Sequence, residues 1–136
     1  MSRISATSID IQWRHYVPTM VVLAGITYLS LIKQVPAIIM DAPLTDKWGH
    51  MLAYLVLALC LGADSMRSEL PQAAMYLIAL ILPIAYGGLM ELLQMLCPPR
   101  MAEWTDWLAD SIGAVAGILL IAVYDLVLIR RKKRPS

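Results

Sequence analysis

The stretch MELLQMLCPPRMAEWTDWLADSIGAVAG, Met90 to Gly117, decides the fold, because it begins in one long apolar run and ends in another. Between and beside those runs it carries Glu91, Gln94, Arg100, Asp106 and Asp110. Composition explains the setting: the 136 residues are 60% hydrophobic and 15% charged, and the mean hydropathy is +0.67, outside the range of ordinary soluble domains. This is the composition of a membrane protein. The length allows a single domain of a few spanning helices over residues 1–136, and leaves no room for a separate soluble catalytic module.

Working outward, four apolar stretches have spanning or near-spanning length: about 16–35, 46–63, 73–97 and 107–129. The expected fold is therefore all-α, a bundle of four transmembrane helices. The second stretch reaches full length only if its helix starts near Thr45 as N-cap, with Asp46 in the first turn facing the positive end of the helix dipole. The first has no small-residue cleavage pattern before Lys33, so it reads as a retained helix rather than a signal peptide. Residues 130–136 read as a basic, solvated tail.

A four-span chain places both termini and the loop between spans two and three on one side. That side holds Arg3, Arg14, Arg67, Arg130, Arg131, Lys132, Lys133 and Arg134, against Lys33, Lys47 and Arg100 opposite. The positive-inside rule then puts both termini in the cytoplasm and the protein in the inner membrane. The same parity gathers Asp46, Lys47, His50, Glu91, Gln94, Arg100, Asp106 and Asp110 at the outer face. Asp64, Arg67, Glu69 and Asp125 belong to the cytoplasmic ends.

Helical spacing sharpens this grouping. Asp46 and His50 are i, i+4; Glu91 and Gln94 are i, i+3; Asp106 and Asp110 are i, i+4, so each set shares a helix face. These faces continue into Ala53 and Tyr54, into Gly87, and into Gly113 and Gly117, the small-xxx-small spacing that lets helix backbones approach in lipid. The polar residues are therefore expected to point into the bundle. Glu91 lies six residues before Cys97, about 9 Å along a helix axis. A lone carboxylate at the bilayer centre costs about 2.5–3.5 kcal/mol on insertion scales, so Glu91 needs a partner, a proton or water. An interhelical ion pair is the structural alternative for Glu91, an N-cap for Asp106 and an interface hydrogen bond for Asp110.

Other residues have plainer roles. Trp48, Trp104 and Trp107 fit an aromatic belt at the outer interface, and Trp13 and Tyr16 one at the inner. The nine methionines fill gaps or face lipid. Pro83 is expected to bend the third span below Glu91. Cys60 and Cys97 fall near opposite ends of their spans, beyond the roughly 7 Å reach of a disulfide, and should be free. There is no phosphate loop, nucleophile elbow, His-Glu-x-x-His motif or nucleic-acid signature, and no cofactor or nucleic-acid partner is expected.

"DKWGHMLAYLVLALCLG" resembles the Asp-Lys-x-x-His signature that opens the second helix of VanZ-like membrane proteins. "ELLQMLCPPR" followed by "TDWLADSIGAVAG" resembles their second signature, and the two together cover residues 46–117. The family residues this resemblance implies are Asp46, Lys47, His50, Glu91, Gln94, Arg100, Asp106, Asp110, Gly113 and Gly117; Asp110 stands where Asn is often expected. It also implies a small bacterial integral membrane protein of the cell envelope, whose founding relative confers low-level teicoplanin resistance.

Three functions are open. In the favoured one, the outer cluster binds a charged headgroup, of a lipid-linked envelope precursor or of a lipoglycopeptide, among membrane lipids. In the second, the protein is a membrane enzyme with His50 and Glu91 as acid and base, and Lys47 or Arg100 stabilising a phosphate-like transition state. A divalent metal held by His50, Glu91, Asp106 and Asp110 would favour that reading. In the third, the cluster is structural and only holds the helices together.

Overall fold

The computed structural model describes residues 13–32, 45–98 and 101–132. Every regular element among them is an α-helix: α1 (Val17–Leu31), α2 (Thr45–Arg67), α3 (Gln72–Gln94) and α4 (Trp104–Lys132). The last three are long and apolar enough to cross a bilayer. At 15 residues α1 is about 22 Å long, shorter than the hydrocarbon core, and ends four residues before the expected boundary at 35. Helix α4 begins at Trp104, three residues before the expected boundary, and continues through Lys132, so Arg130, Arg131 and Lys132 extend the helix instead of starting a tail. Residues 133–136 lie outside the described residues, as do Arg3 and Lys33.

Polarity runs opposite to that of a soluble bundle. Leu52, Val56, Leu77, Leu92, Leu119 and Val123 face outward, whereas Asp64, Glu91, Gln94, Asp106 and Asp110 are buried. Apolar side chains cost little against lipid tails, while carboxylates there cost several kcal/mol, so the chain turns its charges inward. The result is a multi-pass membrane architecture. Trp48 and Trp104 are exposed at the same end of the bundle, as a belt requires.

The helices alternate in direction, with α4 running parallel to α2 and α3 antiparallel between them. Helices α2 and α3 are central; α4 packs on both, α1 packs on both from elsewhere, and α1 and α4 do not touch among the described residues. The α2–α4 contact is the most extensive, and glycine makes it close. A Cβ at Gly113 would run into the backbone carbonyl of Met51 and come within 3.1 Å of Leu55 N; one at Gly117 would meet Ala58 Cβ at 2.8 Å. Without side chains there, backbone approaches backbone. Tyr54, Leu57, Leu61, Ala79 and Met90 fill the core beside this seam.

Helix α1 is fastened at both ends by side chains from its neighbours. It has no acidic residue in its first turn, and its N-cap, Tyr16, supplies no side-chain bond. Asp64 of α2 takes that place: Oδ2 accepts from Thr19 N at 3.2 Å and from Thr19 Oγ1 at 2.6 Å, and Oδ1 accepts from Arg67 at 2.7 Å. A carboxylate thus caps the positive end of a helix from outside it. At the other end Gln94 Nε2 donates to the Ser30 carbonyl at 3.3 Å. Tyr86 and Thr27 hydrogen bond between these points.

The α2–α3 turn closes with the paired bonds Leu70 N to Ser65 O and Glu69 N to Met66 O, each 3.2 Å. This is the Schellman pattern, with Glu69 at φ 56° where glycine is usual. Pro83 is buried within α3, where it leaves the Ala79 carbonyl without its helical donor. Cys60 and Cys97 are free thiols.

The seam predicts a contrast between two Gly→Ala changes. Gly113→Ala should lower unfolding stability in detergent by about 1–3 kcal/mol through overpacking against α2. Gly25→Ala, where a Cβ meets nothing within 4 Å, should leave stability unchanged or raise it by up to about 1 kcal/mol. Denaturant titration followed by circular dichroism measures both.

Candidate functional site

The parallel course of α2 and α4 sets their N-termini side by side, and this brings the polar residues of two distant sequence segments together. Lys47 Nζ donates to Asp106 Oδ1 at 2.8 Å and to Thr105 Oγ1 at 2.8 Å, and lies 3.4 Å from Glu103 Oε2. One turn deeper, His50 Nδ1 lies 2.9 Å from Asp110 Oδ1, and His50 Nε2 lies 3.8 Å from Asp106 Oδ2. The ring therefore stands between two carboxylates, one on each nitrogen.

Helix α3 closes the third side. Glu91 Oε2 accepts from the backbone N–H of Glu103 at 2.8 Å, which ties the end of α3 to the start of α4. Its carboxylate is within electrostatic reach of His50, Asp106 and Asp110. Gly87, one turn earlier, makes room for Asp110: a Cβ there would lie 2.7 Å from Asp110 Oδ2. Trp107 Nε1 donates to the Ile84 carbonyl at 2.9 Å beside Pro83, and Gly88 accommodates its ring.

Three buried polar atoms of this end have no hydrogen-bond partner: Tyr54 OH, Glu91 Oε1 and Asp110 Oδ2. Tyr54 and Asp110 are 2% and 1% exposed, and the Tyr54 hydroxyl adjoins the Asp110 carboxylate as donor beside acceptor, so of the three only Glu91 Oε1 lacks such a pairing among the described residues. Unsatisfied buried oxygens are rare in native proteins, because each forfeits a hydrogen bond it would have in water. Here they come from three helices and converge.

The family model of VanZ/LLP1 matches residues 5–127. The chain belongs to the VanZ/LLP1 family. No curated protein and no solved structure matches it. In this VanZ/LLP1 chain the match covers α1, α2, α3 and most of α4, so the polar end of the bundle lies within it.

The eight polar positions singled out in the sequence divide in the structure. Lys47, His50, Glu91, Asp106 and Asp110 converge as described, and Asp46 stands exposed at their rim. Gln94 turns away: although it follows Glu91 by one turn, its amide reaches α1. Arg100 lies outside the described residues. Asp106 is inside the first turn of α4, with its N–H donating to the Glu103 carbonyl at 2.8 Å, so it does not cap the helix.

Glu103, Thr105 and Tyr54 also belong to this end. Glu103 immediately precedes an apolar helix and stands three residues before Asp106, a helix-start pattern that could have marked it. Among the described residues the donor atoms that fall within 4.8 Å of one another belong to Asp46, His50 and Asp106; Glu91 and Asp110 stand outside that set of three.

His50 and Asp110 should behave as an energetic unit. His50→Ala strands a buried carboxylate and is expected to cost about 3–5 kcal/mol of unfolding free energy. The double variant His50→Ala/Asp110→Asn should cost less than the sum of the single changes by about 0.5–3 kcal/mol. A double-mutant cycle of denaturant titrations in detergent reads this coupling.

Proposed function

We propose that this VanZ/LLP1 protein crosses the bacterial cytoplasmic membrane four times with both termini in the cytoplasm, and that its outer polar end binds a charged group presented at the outer leaflet. The eight-to-three distribution of Lys and Arg supports the orientation. The alternating helix directions support the count, with α1 as the fourth crossing. The ligand on this reading is the headgroup of a lipid-linked envelope precursor or an envelope-active compound, and its capture contributes to resistance of the glycopeptide or lipoglycopeptide type, as for teicoplanin.

One observation carries the binding reading, and it comes from comparing the two ends of the same bundle. Asp64 does a structural task, and both of its oxygens are engaged. Glu91 is also buried, but its Oε1 has no partner, and beside it the Tyr54 hydroxyl adjoins the Asp110 carboxylate. A carboxylate that only fastened helices would resemble Asp64, although one buried hydroxyl, Ser65 Oγ, is unpartnered at that end too. Spare acceptors at the membrane surface are what a ligand uses.

A second reading, a membrane enzyme acting on a phosphate-bearing envelope substrate, is favoured by the 2.9 Å pairing of His50 with Asp110. That pairing orients the ring and leaves Nε2 3.8 Å from Asp106 Oδ2, beyond hydrogen-bond distance, the arrangement of a general base held by a carboxylate. Asp110 would then orient His50, with His50 and Glu91 as the acid and base.

Drug susceptibility of cells making the wild type or Glu91→Gln at matched membrane levels tests the binding reading. The wild type is expected to raise tolerance to teicoplanin or another envelope-targeting agent severalfold, and Glu91→Gln to abolish the shift. Equal behaviour of both across such agents would reduce the cluster to packing.

A further inference from the structure

We propose that Asp46, His50 and Asp106 form a site for a divalent transition-metal cation, of the Mn²⁺ or Zn²⁺ kind, at the polar end of the bundle. This rests on the reading of that end as a binding site and adds a bound cation to it, beside the ligand proposed there. Charge points the same way: five carboxylates, Asp46, Glu91, Glu103, Asp106 and Asp110, face one lysine and one histidine among the described residues. Such an excess at the edge of a membrane favours a cation over an anion.

The geometry is specific. Asp110 engages His50 at Nδ1, so Nε2 is the ring atom turned toward Asp106 Oδ2, 3.8 Å away. Two donors about 2.1 Å from a tetrahedral ion stand about 3.4 Å apart, so this pair needs to close by a few tenths of an ångström to share one. Lys47 occupies the other oxygen of Asp106, Oδ1, and leaves Oδ2 to the ion. Asp46, one turn before His50, is exposed with its donor within 4.8 Å of the other two, and a turn of its side chain is needed to bring it to the ion. One imidazole with two carboxylates suits first-row divalent ions better than Ca²⁺ or Mg²⁺, which prefer oxygen alone.

Two features outside the acidic set point to a metal as well. A ligand histidine almost always gives its other nitrogen to a carboxylate, which fixes the tautomer, and Asp110 at 2.9 Å does that. On α3, Glu91 keeps Oε1 unpartnered on a residue 7% exposed, with His50 and Asp106 among the charges around it. That oxygen is available to accept from water on the ion. Asp110 is thus a positioning residue, acting through His50.

Purified protein in detergent, stripped with chelator and titrated with Mn²⁺, tests the site by electron paramagnetic resonance. One Mn²⁺ per chain is expected, with pulsed spectra showing coupling to an imidazole nitrogen. His50→Gln should remove the nitrogen coupling, and Asp46→Asn, which changes an exposed side chain, should weaken binding at least tenfold. Asp110→Asn should weaken it by about 10–100-fold, and Asp125→Asn, at the opposite end, should leave it unchanged. No saturable binding, binding without nitrogen coupling, or equal binding by wild type and Asp46→Asn would overturn the site. Metal occupancy is read on purified protein and susceptibility on cells, so either proposal can fail while the other stands.

Discussion

The close approach of α2 to α4 is the contact on which the rest of the arrangement depends. Gly113 and Gly117 bring the α4 backbone against Met51, Leu55 and Ala58. Because the two helices run parallel, the same contact sets Lys47 opposite Asp106 and His50 opposite Asp110. In lipid no hydrophobic force draws helices together, so packing of small residues and interhelical polar bonds must do it. The seam and the ion pairs therefore support one another. Helix α3 then completes the cluster through Glu91 and makes room for Asp110 at Gly87.

The two ends of the bundle use carboxylates differently. At one, Asp64 caps α1 and pairs with Arg67, a closed arrangement that fixes a short helix. At the other, the bonds of Lys47, His50 and Glu103 leave Glu91 and Asp110 half satisfied. A membrane interior makes an unsatisfied carboxylate oxygen costly, so Glu91 Oε1, left open among the charges of this cluster, is the physical basis for reading that spot as a site.

Much of this was legible in the sequence, because the constraints involved are local. Hydropathy found the long helices, and helical spacing put Glu91, Asp106 and Asp110 on inward faces. What escaped depends on contacts across the bundle. Nothing in the spacing of Glu91 and Gln94 tells that Gln94 reaches the Ser30 carbonyl of α1. Asp64 reads as an ordinary charge near a helix end, since its partner Thr19 lies 45 residues away. The start of α4 at Trp104 instead of residue 107 is the usual uncertainty of a helix boundary, but it changes Asp106 from a cap into a first-turn ligand of Lys47.

The central claim is that the α2–α4 polar contact is a working site and more than a fastening. Exchanging the two charges, Lys47→Asp with Asp106→Lys, tests it most directly, because the swap keeps an ion pair across the seam while moving the carboxylate away from His50. Membrane level and thermal unfolding would be measured beside drug susceptibility, for the wild type, each single reversal and the swap. The account predicts that the swap recovers the folded protein that the single reversals lose, yet fails to recover the susceptibility shift of the wild type. Recovery of both would contradict it, and would make the pair a fastening whose sense does not matter.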